Sequence, residues 1–159
     1  MTSVEHDRLE RVVLDGAALT RLSPLLEADR AQAVADLQAE NLFSLPGRDD
    51  GPYALHLSIQ EGRLSFDIRR ADDRPLALHV LALGPFRALI KDYHLLVESY
   101  HTAVAEGREA RIQAIDMGRR GLHNEGANLM QERLAGKVAI DFPTARRLFT
   151  LVCVLHQRI

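Results

Sequence analysis

The chain has 159 residues, of which 47% are hydrophobic and 26% are charged, and its formal net charge at pH 7 is −2. This length and composition are typical of one globular domain, predicted to span residues 1–159. The near-neutral charge gives no indication of a specific nucleic-acid partner or of a membrane surface, and no apolar run approaches the ~20 residues of a membrane-spanning helix.

The N-terminal third is predicted to contain a strand, a helix and a loop. Residues 9–14 have the β-branched character that favours a strand. Ser23 is a good N-cap and Pro24 a good first helical residue, so a helix is expected to begin there. Residues 41–52 include LPGRDDGP and are predicted to form a loop. The acidic side chains assigned to the solvated side of the helix are Glu27, Asp29, Asp36 and Glu40.

The middle of the chain predicts a meander of strands. Residues 53–60 and 63–70 alternate between apolar and polar side chains. Glu61-Gly62 between them is typical of a two-residue hairpin turn, and residues 75–83 supply a third strand. The alternation predicts an antiparallel sheet with one apolar and one polar face. We expect the N-terminal strand to join this same sheet.

The C-terminal half is predicted to be helical. Residues 85–106 keep the i, i+3, i+4, i+7 apolar spacing of an amphipathic helix, and residues 109–136 contain a second such helix. Asp141 can cap a final helix. From residue 148 to residue 155 only Thr150 is polar, so this helix is expected to be surrounded on nearly all sides.

These elements predict an α+β fold, in which a small antiparallel sheet, the three-strand meander plus the N-terminal strand, packs against about four helices with the C-terminal helix central. The single cysteine, Cys153, lies in the apolar run LFTLVCVL and is expected to be a buried thiol. Because the chain cannot form an internal disulfide and shows no signal peptide, we expect a cytoplasmic protein.

The least ordinary stretch is the helix of residues 109–136. Arg119 falls within its apolar sector, and His123 lies at the edge of that sector. A guanidinium group on a core-facing surface must find an anion, because burying an unpaired charge costs several kcal/mol or more. That anion is either a protein carboxylate or a ligand. The apolar sector consists of Ile112, Ile115, Leu122, Leu129 and Met130.

Three glycines in this stretch leave two local structures open. Gly118 and Gly126 flank the apolar sector and would allow a close approach by another element. Alternatively, the helix breaks near Gly121, which would expose backbone N–H groups to an anion. We favour the unbroken helix.

A basic cluster is the predicted ligand site. Arg146 and Arg147 lie in the first turn of the final helix and would join the arginines of the central helix if the two helices meet. Arginine suits the bidentate binding of carboxylate and phosphate groups. The candidate ligand-binding residues are Arg119, Arg120, His123, Asn124, Arg146 and Arg147.

Three functions remain open at this stage. The first is a binding or regulatory module that holds an anionic small molecule or an anionic group of a protein partner. The second is an enzyme with His123 and Glu125 as general acid and base, although residues two apart on one helix point about 160° apart. The third is a structural protein in which Arg119 is paired internally. We lean away from an enzyme.

Common cofactor and metal motifs do not occur. The chain has no GxSxG, Walker, dinucleotide-binding, CxxC or HExxH pattern. His56 and His79 lie on neighbouring predicted strands, but no third residue at ligand spacing accompanies them. We therefore expect no cofactor and no metal, and the oligomeric state stays open.

Four motifs carry a resemblance to a known family. They are IDMGRRGLHNEG at residues 115–126, TARRLFTLVCVLH at 144–156, GPY at 51–53, and PFR with KDY at 85–87 and 91–93. Over most of its length the chain resembles the bacterial uncharacterised protein family numbered 0262. The resemblance implies a small cytoplasmic bacterial protein. It supplies no catalytic residues, because that family has no assigned function.

Overall fold

The structure is a computed structural model that describes residues 6–16, 19 and 21–156. The strands of these residues are β1 (Leu9–Asp15), β2 (Phe43–Ser44), β3 (Tyr53–Gln60), β4 (Arg63–Arg70), β5 (Pro75–Ala82) and β6 (Ala139–Ile140). Their α-helices are α1 (Pro24–Ala39), α2 (Arg87–Ala105), α3 (Glu109–Leu134) and α4 (Phe142–Leu155), and a 3₁₀ turn at Gly84–Phe86 precedes α2. The α+β prediction is confirmed.

The main sheet has the strand order β1-β3-β4-β5 and is mixed rather than wholly antiparallel. The predicted meander of β3, β4 and β5 is confirmed, but β1 runs parallel to β3. The prediction of an all-antiparallel sheet is therefore wrong for the N-terminal strand. The physical reason is the connection, because α1 lies between β1 and β3 and carries the chain back to the end of the sheet where it began.

A second departure lies in residues 41–52, which were predicted to be a loop. Phe43 and Ser44 form β2, which pairs antiparallel with β6 far along the chain. This two-residue strand exists through a tertiary pairing, so no local alternation marks it.

The turn between β3 and β4 follows from its two residues. Glu61 has φ 52° and Gly62 has φ 72°. Positive φ at both central positions is the geometry of a type I′ hairpin turn, whose twist matches that of the flanking strands. One face of the hairpin is fully buried, through Leu55, Leu57, Leu64, Phe66 and Ile68.

The helices form a layer with α4 at its centre, as predicted. Every residue from 151 to 155 is buried, and α4 packs against α1, α3 and β3. Asp141 caps α4 by accepting a hydrogen bond from the backbone N–H of Thr144 (3.0 Å). Across the described part of the chain, no helix combines the length and the apolar character that crossing a bilayer requires.

The central helix α3 is continuous from Glu109 to Leu134, so the prediction of an unbroken helix is confirmed. Its close approach to α4 depends on Gly126. A Cβ atom at this position would lie 2.4 Å from the ring of Phe149, which no real Cβ contact allows. Gly126 therefore lets the ring of Phe149 lie directly against the backbone of α3.

Candidate functional site

A polar cleft of about 400 Å³ opens between α1, α3 and α4. Its volume lies within the range of small-molecule sites. Most of the lining side chains are charged. Its ionisable groups are Asp29 and Asp36 from α1, Asp116, Arg119, Arg120 and His123 from α3, and Arg146 and Arg147 from α4.

One end of the cleft is closed by a junction of three helices, which we call the Asp29 junction: Tyr93, Asp29 and Arg119. An Nη2–H of Arg119 donates to Asp29, 3.1 Å from Oδ2 and 3.3 Å from Oδ1. The hydroxyl of Tyr93 donates to Oδ2 of Asp29 at 2.6 Å. The Arg119 and Asp29 side chains are 29% and 24% exposed, so the pair is partly screened by solvent. Arg119 thus finds an anion within the protein.

Tyr93 anchors this junction from the core side. It is completely buried, and burial together with the charge of Asp29 raises its pKa far above the usual range of a tyrosine. The phenol therefore keeps its hydrogen and acts as a permanent donor to Asp29. Because Tyr93 holds the Asp29 carboxylate in place, the Arg119 nitrogen that donates to Asp29 is also held in place.

His123 stands between the junction and the second half of the cleft. Its Nδ1 lies 2.7 Å from the carbonyl oxygen of Arg119, one turn earlier. A carbonyl only accepts, so Nδ1 carries the hydrogen in this contact. The ring meets Tyr93 and Phe149 edge-on, with centroids 6.0 and 5.9 Å away.

Burial lowers the pKa of His123, and the positive charges of Arg119 and Arg146 lower it further, against the opposing effect of the hydrogen bond to the carbonyl. The neutral ring with hydrogen on Nδ1 presents Nε2 as an acceptor. In this state Nε2 of His123 can accept a hydrogen bond from an N–H or O–H group of a ligand. Donation to an anion would require its protonation.

The other end of the cleft is formed by the first turns of α4. An Nη1–H of Arg147 donates to the carbonyl oxygen of Glu40, at the C-terminal end of α1 (3.1 Å). Nε of Arg146 is buried and finds no hydrogen-bond acceptor among the described residues, and the same holds for Nε of Arg119. Among the described residues, no ion pair involves Arg120, Arg146 or Arg147.

A family model described as "Uncharacterised protein family (UPF0262)" matches residues 6–158. The chain belongs to UPF0262. The resemblance seen in its motifs is thereby confirmed.

Relatives named UPF0262 proteins occur in several bacteria. One from Granulibacter bethesdensis is 73% identical over 160 residues, covering 96% of this chain and 91% of the relative. One from Acidiphilium cryptum is 64% identical over 151 residues, covering 95% and 93%. One from Rhodopseudomonas palustris (strain BisB5) is 50% identical over 153 residues, covering 96% and 94%. These names state no activity, and no solved structure matches the chain.

The fold of this UPF0262 chain brings together five of the six candidate ligand-binding residues: Arg119, Arg120, His123, Arg146 and Arg147. Asn124 is exposed and does not line the cleft. Glu125 lines a separate groove between α2 and α3. His123 and Glu125 therefore do not face one space, because the unbroken helix turns them to different sides.

Sequence reasoning missed the α1 side of this UPF0262 cleft. Asp29 and Asp36 were assigned to a solvated helix side, whereas both line the cleft. Tyr93 belongs to the apolar spacing that predicts a helix over residues 85–106, and its hydroxyl completes the Asp29 junction. A weak signal existed, since an arginine within an apolar sector requires a carboxylate. Nothing local in the sequence of α1 selects Asp29 over its acidic neighbours.

Proposed function

We propose that this UPF0262 chain is a binding module that holds a small anionic ligand, through a carboxylate or phosphate group, in the cleft between α1, α3 and α4. The observation that carries the proposal is that Arg146 lines the cleft with a buried Nε that has no acceptor and, unlike Arg119, forms no ion pair among the described residues. An unsatisfied buried donor costs about 1–3 kcal/mol, and a ligand oxygen would recover that loss.

The roles of the other arginines follow from their contacts. Arg119 is held by Asp29, so its guanidinium is already oriented when a ligand arrives. Arg147 is held by the carbonyl of Glu40 through one nitrogen and keeps its remaining donors for other acceptors. Arg120 is exposed and would supply long-range attraction rather than a fixed contact.

The charge balance of the cleft narrows the ligand class. With His123 neutral, the four guanidinium groups exceed the three carboxylates by one charge. A ligand with one negative charge fits this balance better than a polyanion, which would meet Asp36 and Asp116. Hydroxyl or amino groups on the same ligand would find acceptors in these aspartates and in Nε2 of His123. We therefore favour small hydroxylated or amino-bearing carboxylates over phosphate monoesters, which carry a charge of about −1.5 to −2 at pH 7.

We also propose that the protein is located in the cytoplasm. The lone Cys153 is buried and a disulfide within the chain is excluded, which suits a reducing compartment.

The test is a thermal-shift screen of small carboxylates and phosphate esters against the wild type, Arg146→Gln and Arg133→Gln. The last variant is the matched control, because Arg133 is an exposed arginine on α3 outside the cleft. A ligand at 100 times its Kd stabilises the folded protein by about 2.7 kcal/mol, which raises the Tm by several degrees. We expect this shift in the wild type and in Arg133→Gln, and its loss in Arg146→Gln.

The proposal fails if no compound raises the Tm of the wild type, or if Arg146→Gln keeps the full shift. A scaffolding role would then be favoured by one observation, namely that the Asp29 junction ties α1, α2 and α3 together without a ligand. In that case Arg119→Ala should lower the stability of the protein while no compound changes the Tm of either form.

A further inference from the structure

The strand β5 forms one edge of the main sheet. It pairs with β4 on one side, and within the described residues no strand pairs with its other side. An edge strand presents a row of unpaired backbone groups that can pair with another chain. Soluble proteins therefore usually protect such edges with charged side chains, prolines or bulges.

Two apolar side chains of β5 are exposed on the polar face of the sheet. Leu78 is 63% exposed and Val80 is 45% exposed. Their partners across the β4–β5 ladder are Asp67 and Ser65, which point to the same face. The core of the chain therefore does not account for these two apolar residues.

The backbone of the same residues is directed outward. The N–H of Leu83, just beyond β5, donates to the carbonyl of Gly62 (3.3 Å). In an antiparallel ladder, every second residue of a strand hydrogen-bonds to the same neighbouring strand. The backbone groups of Leu81 and His79 therefore point toward β4. The N–H and C=O groups of Leu78 and Val80 point away from β4, to the open edge. Exposed apolar side chains and unpaired backbone groups thus coincide on the same two residues.

The edge has little of the usual protection. Residues 75–86 contain no Asp, Glu, Lys or Arg. Pro75 and an irregularity in the ladder between Ile68 and Arg69 interrupt the edge only at its beginning. The remainder of the strand is regular and uncharged.

We propose that β5 pairs antiparallel with β5 of a second copy of this chain, so that the two sheets become one across a two-fold axis. A register centred on His79 places Leu78 of one copy opposite Val80 of the other, twice, and the two His79 residues opposite each other at the axis, with no Asp, Glu, Lys or Arg in the paired segment. The strand is therefore complementary to itself, as a two-fold interface requires. We choose a second copy as the partner because it provides a β5 strand that is likewise uncharged and complementary in register. The inference does not rest on the ligand proposed for the cleft.

The test measures the mass of the full chain in solution by sedimentation equilibrium over a range of concentrations, for the wild type, Leu78→Lys and Leu95→Lys. Leu95 is the matched control, because it is a leucine of similar exposure (51%) on α2. We expect the wild type to rise from the 17.8 kDa of one chain to twice that mass. Leu78→Lys should weaken the association by at least about tenfold, and Leu95→Lys should leave it unchanged.

Amide hydrogen exchange of the unmodified chain provides a second readout that does not depend on the folding of a variant. The N–H groups of Leu78 and Val80 should exchange more slowly as the protein concentration rises, because the pairing protects them.

Three results would overturn the proposal. One is a wild type that stays at 17.8 kDa up to about 1 mM. Another is a dimer that Leu95→Lys dissociates and Leu78→Lys does not, which would assign the interface to the groove between α2 and α3. The third is exchange at Leu78 and Val80 that does not change with concentration.

Discussion

The arginines at the two ends of the cleft differ in their partners within the protein. At the Asp29 junction, Arg119 meets a carboxylate that a buried tyrosine holds in place. Nε of both arginines is buried without an acceptor among the described residues, but Arg146, at the α4 end, also forms no ion pair with any of those residues. In the first arrangement Nη2 of Arg119 is paired with Asp29, and this ion pair contributes to stability without a ligand. In the second arrangement Arg146 has no ion-pair partner among the described residues, and an oxygen of a ligand in the cleft would supply the acceptor that it lacks.

The difference separates two roles that arginine-rich sites often combine. A guanidinium with a protein partner is held still, at the cost of part of its attraction for other anions. A guanidinium without an ion-pair partner keeps more of its hydrogen-bond donors for a ligand. In this cleft the first kind supplies a fixed wall and the second supplies the binding group, so substitutions at the two ends should have different consequences.

The largest effect should come from the packing beneath the α4 end. Leu151→Ala removes a fully buried side chain of the helix that carries Arg146, and we expect a loss of about 2–5 kcal/mol in the free energy of unfolding. Chemical denaturation measures this loss. Leu95→Ala, at an exposed leucine, is the control. A loss below about 0.5 kcal/mol at Leu151 would contradict the central position of α4.

Breaking the ion pair between Arg119 and Asp29 should have a smaller effect. Asp29→Ala leaves the buried hydroxyl of Tyr93 and the half-buried guanidinium of Arg119 without their acceptor, for an expected loss of about 1–3 kcal/mol. Asp36→Ala is the matched control, because this aspartate lines the same cleft but its side chain hydrogen-bonds only with Gln32 among the described residues. If both variants lose equally little, the Asp29 junction is not a structural element.

Acid should destabilise the protein through His123. Its pKa is lower in the folded protein than the ordinary 6.5, so the unfolded chain binds more protons and the free energy of unfolding falls as the pH drops below about 6.5. The measured slope between about pH 7 and pH 5 should be shallower in His123→Gln than in the wild type. His101→Gln, at an exposed histidine of α2, should retain the wild-type slope. An unchanged slope in His123→Gln would place the responsible group elsewhere.

The smallest effect should follow from an arginine outside the cleft. Arg70 lies exposed at the end of β4, and Arg70→Ala should change the free energy of unfolding by no more than about 0.5 kcal/mol. Thermal or chemical denaturation measures this change. A larger loss would show that arginine removal destabilises this chain regardless of position, and the comparison of the two ends would lose its basis.

Local signals in the sequence predict the parts of the fold that local chemistry determines. Glu61-Gly62 specifies its turn because few residue pairs accept two positive φ angles, and Ser23 and Asp141 begin helices because their side chains accept N–H groups of the first turn. The continuity of α3 through Gly121 was also predictable, since a single glycine costs only about 1 kcal/mol against strong apolar spacing.

The remaining features depend on tertiary placement. The parallel direction of β1 follows from the path of α1, and β2 exists only because β6 lies beside it. Asp29 has no local property that distinguishes it from Glu27, yet only Asp29 reaches Arg119. The meeting of Arg146 with the arginines of α3 also depends on how two helices pack, which periodicity does not encode.

The most direct test of the central claim is NMR observation of the arginine Nε–H groups while a small carboxylate or phosphate ester from the screen is added. We predict that the Nε–H resonance of Arg146 moves with saturation, that of Arg119 moves less because its Nη2 group is already paired with Asp29, and that of Arg133 stays in place. Movement at Arg119 with none at Arg146, or no movement at either with any compound, would contradict the assignment of the α4 end as the binding end.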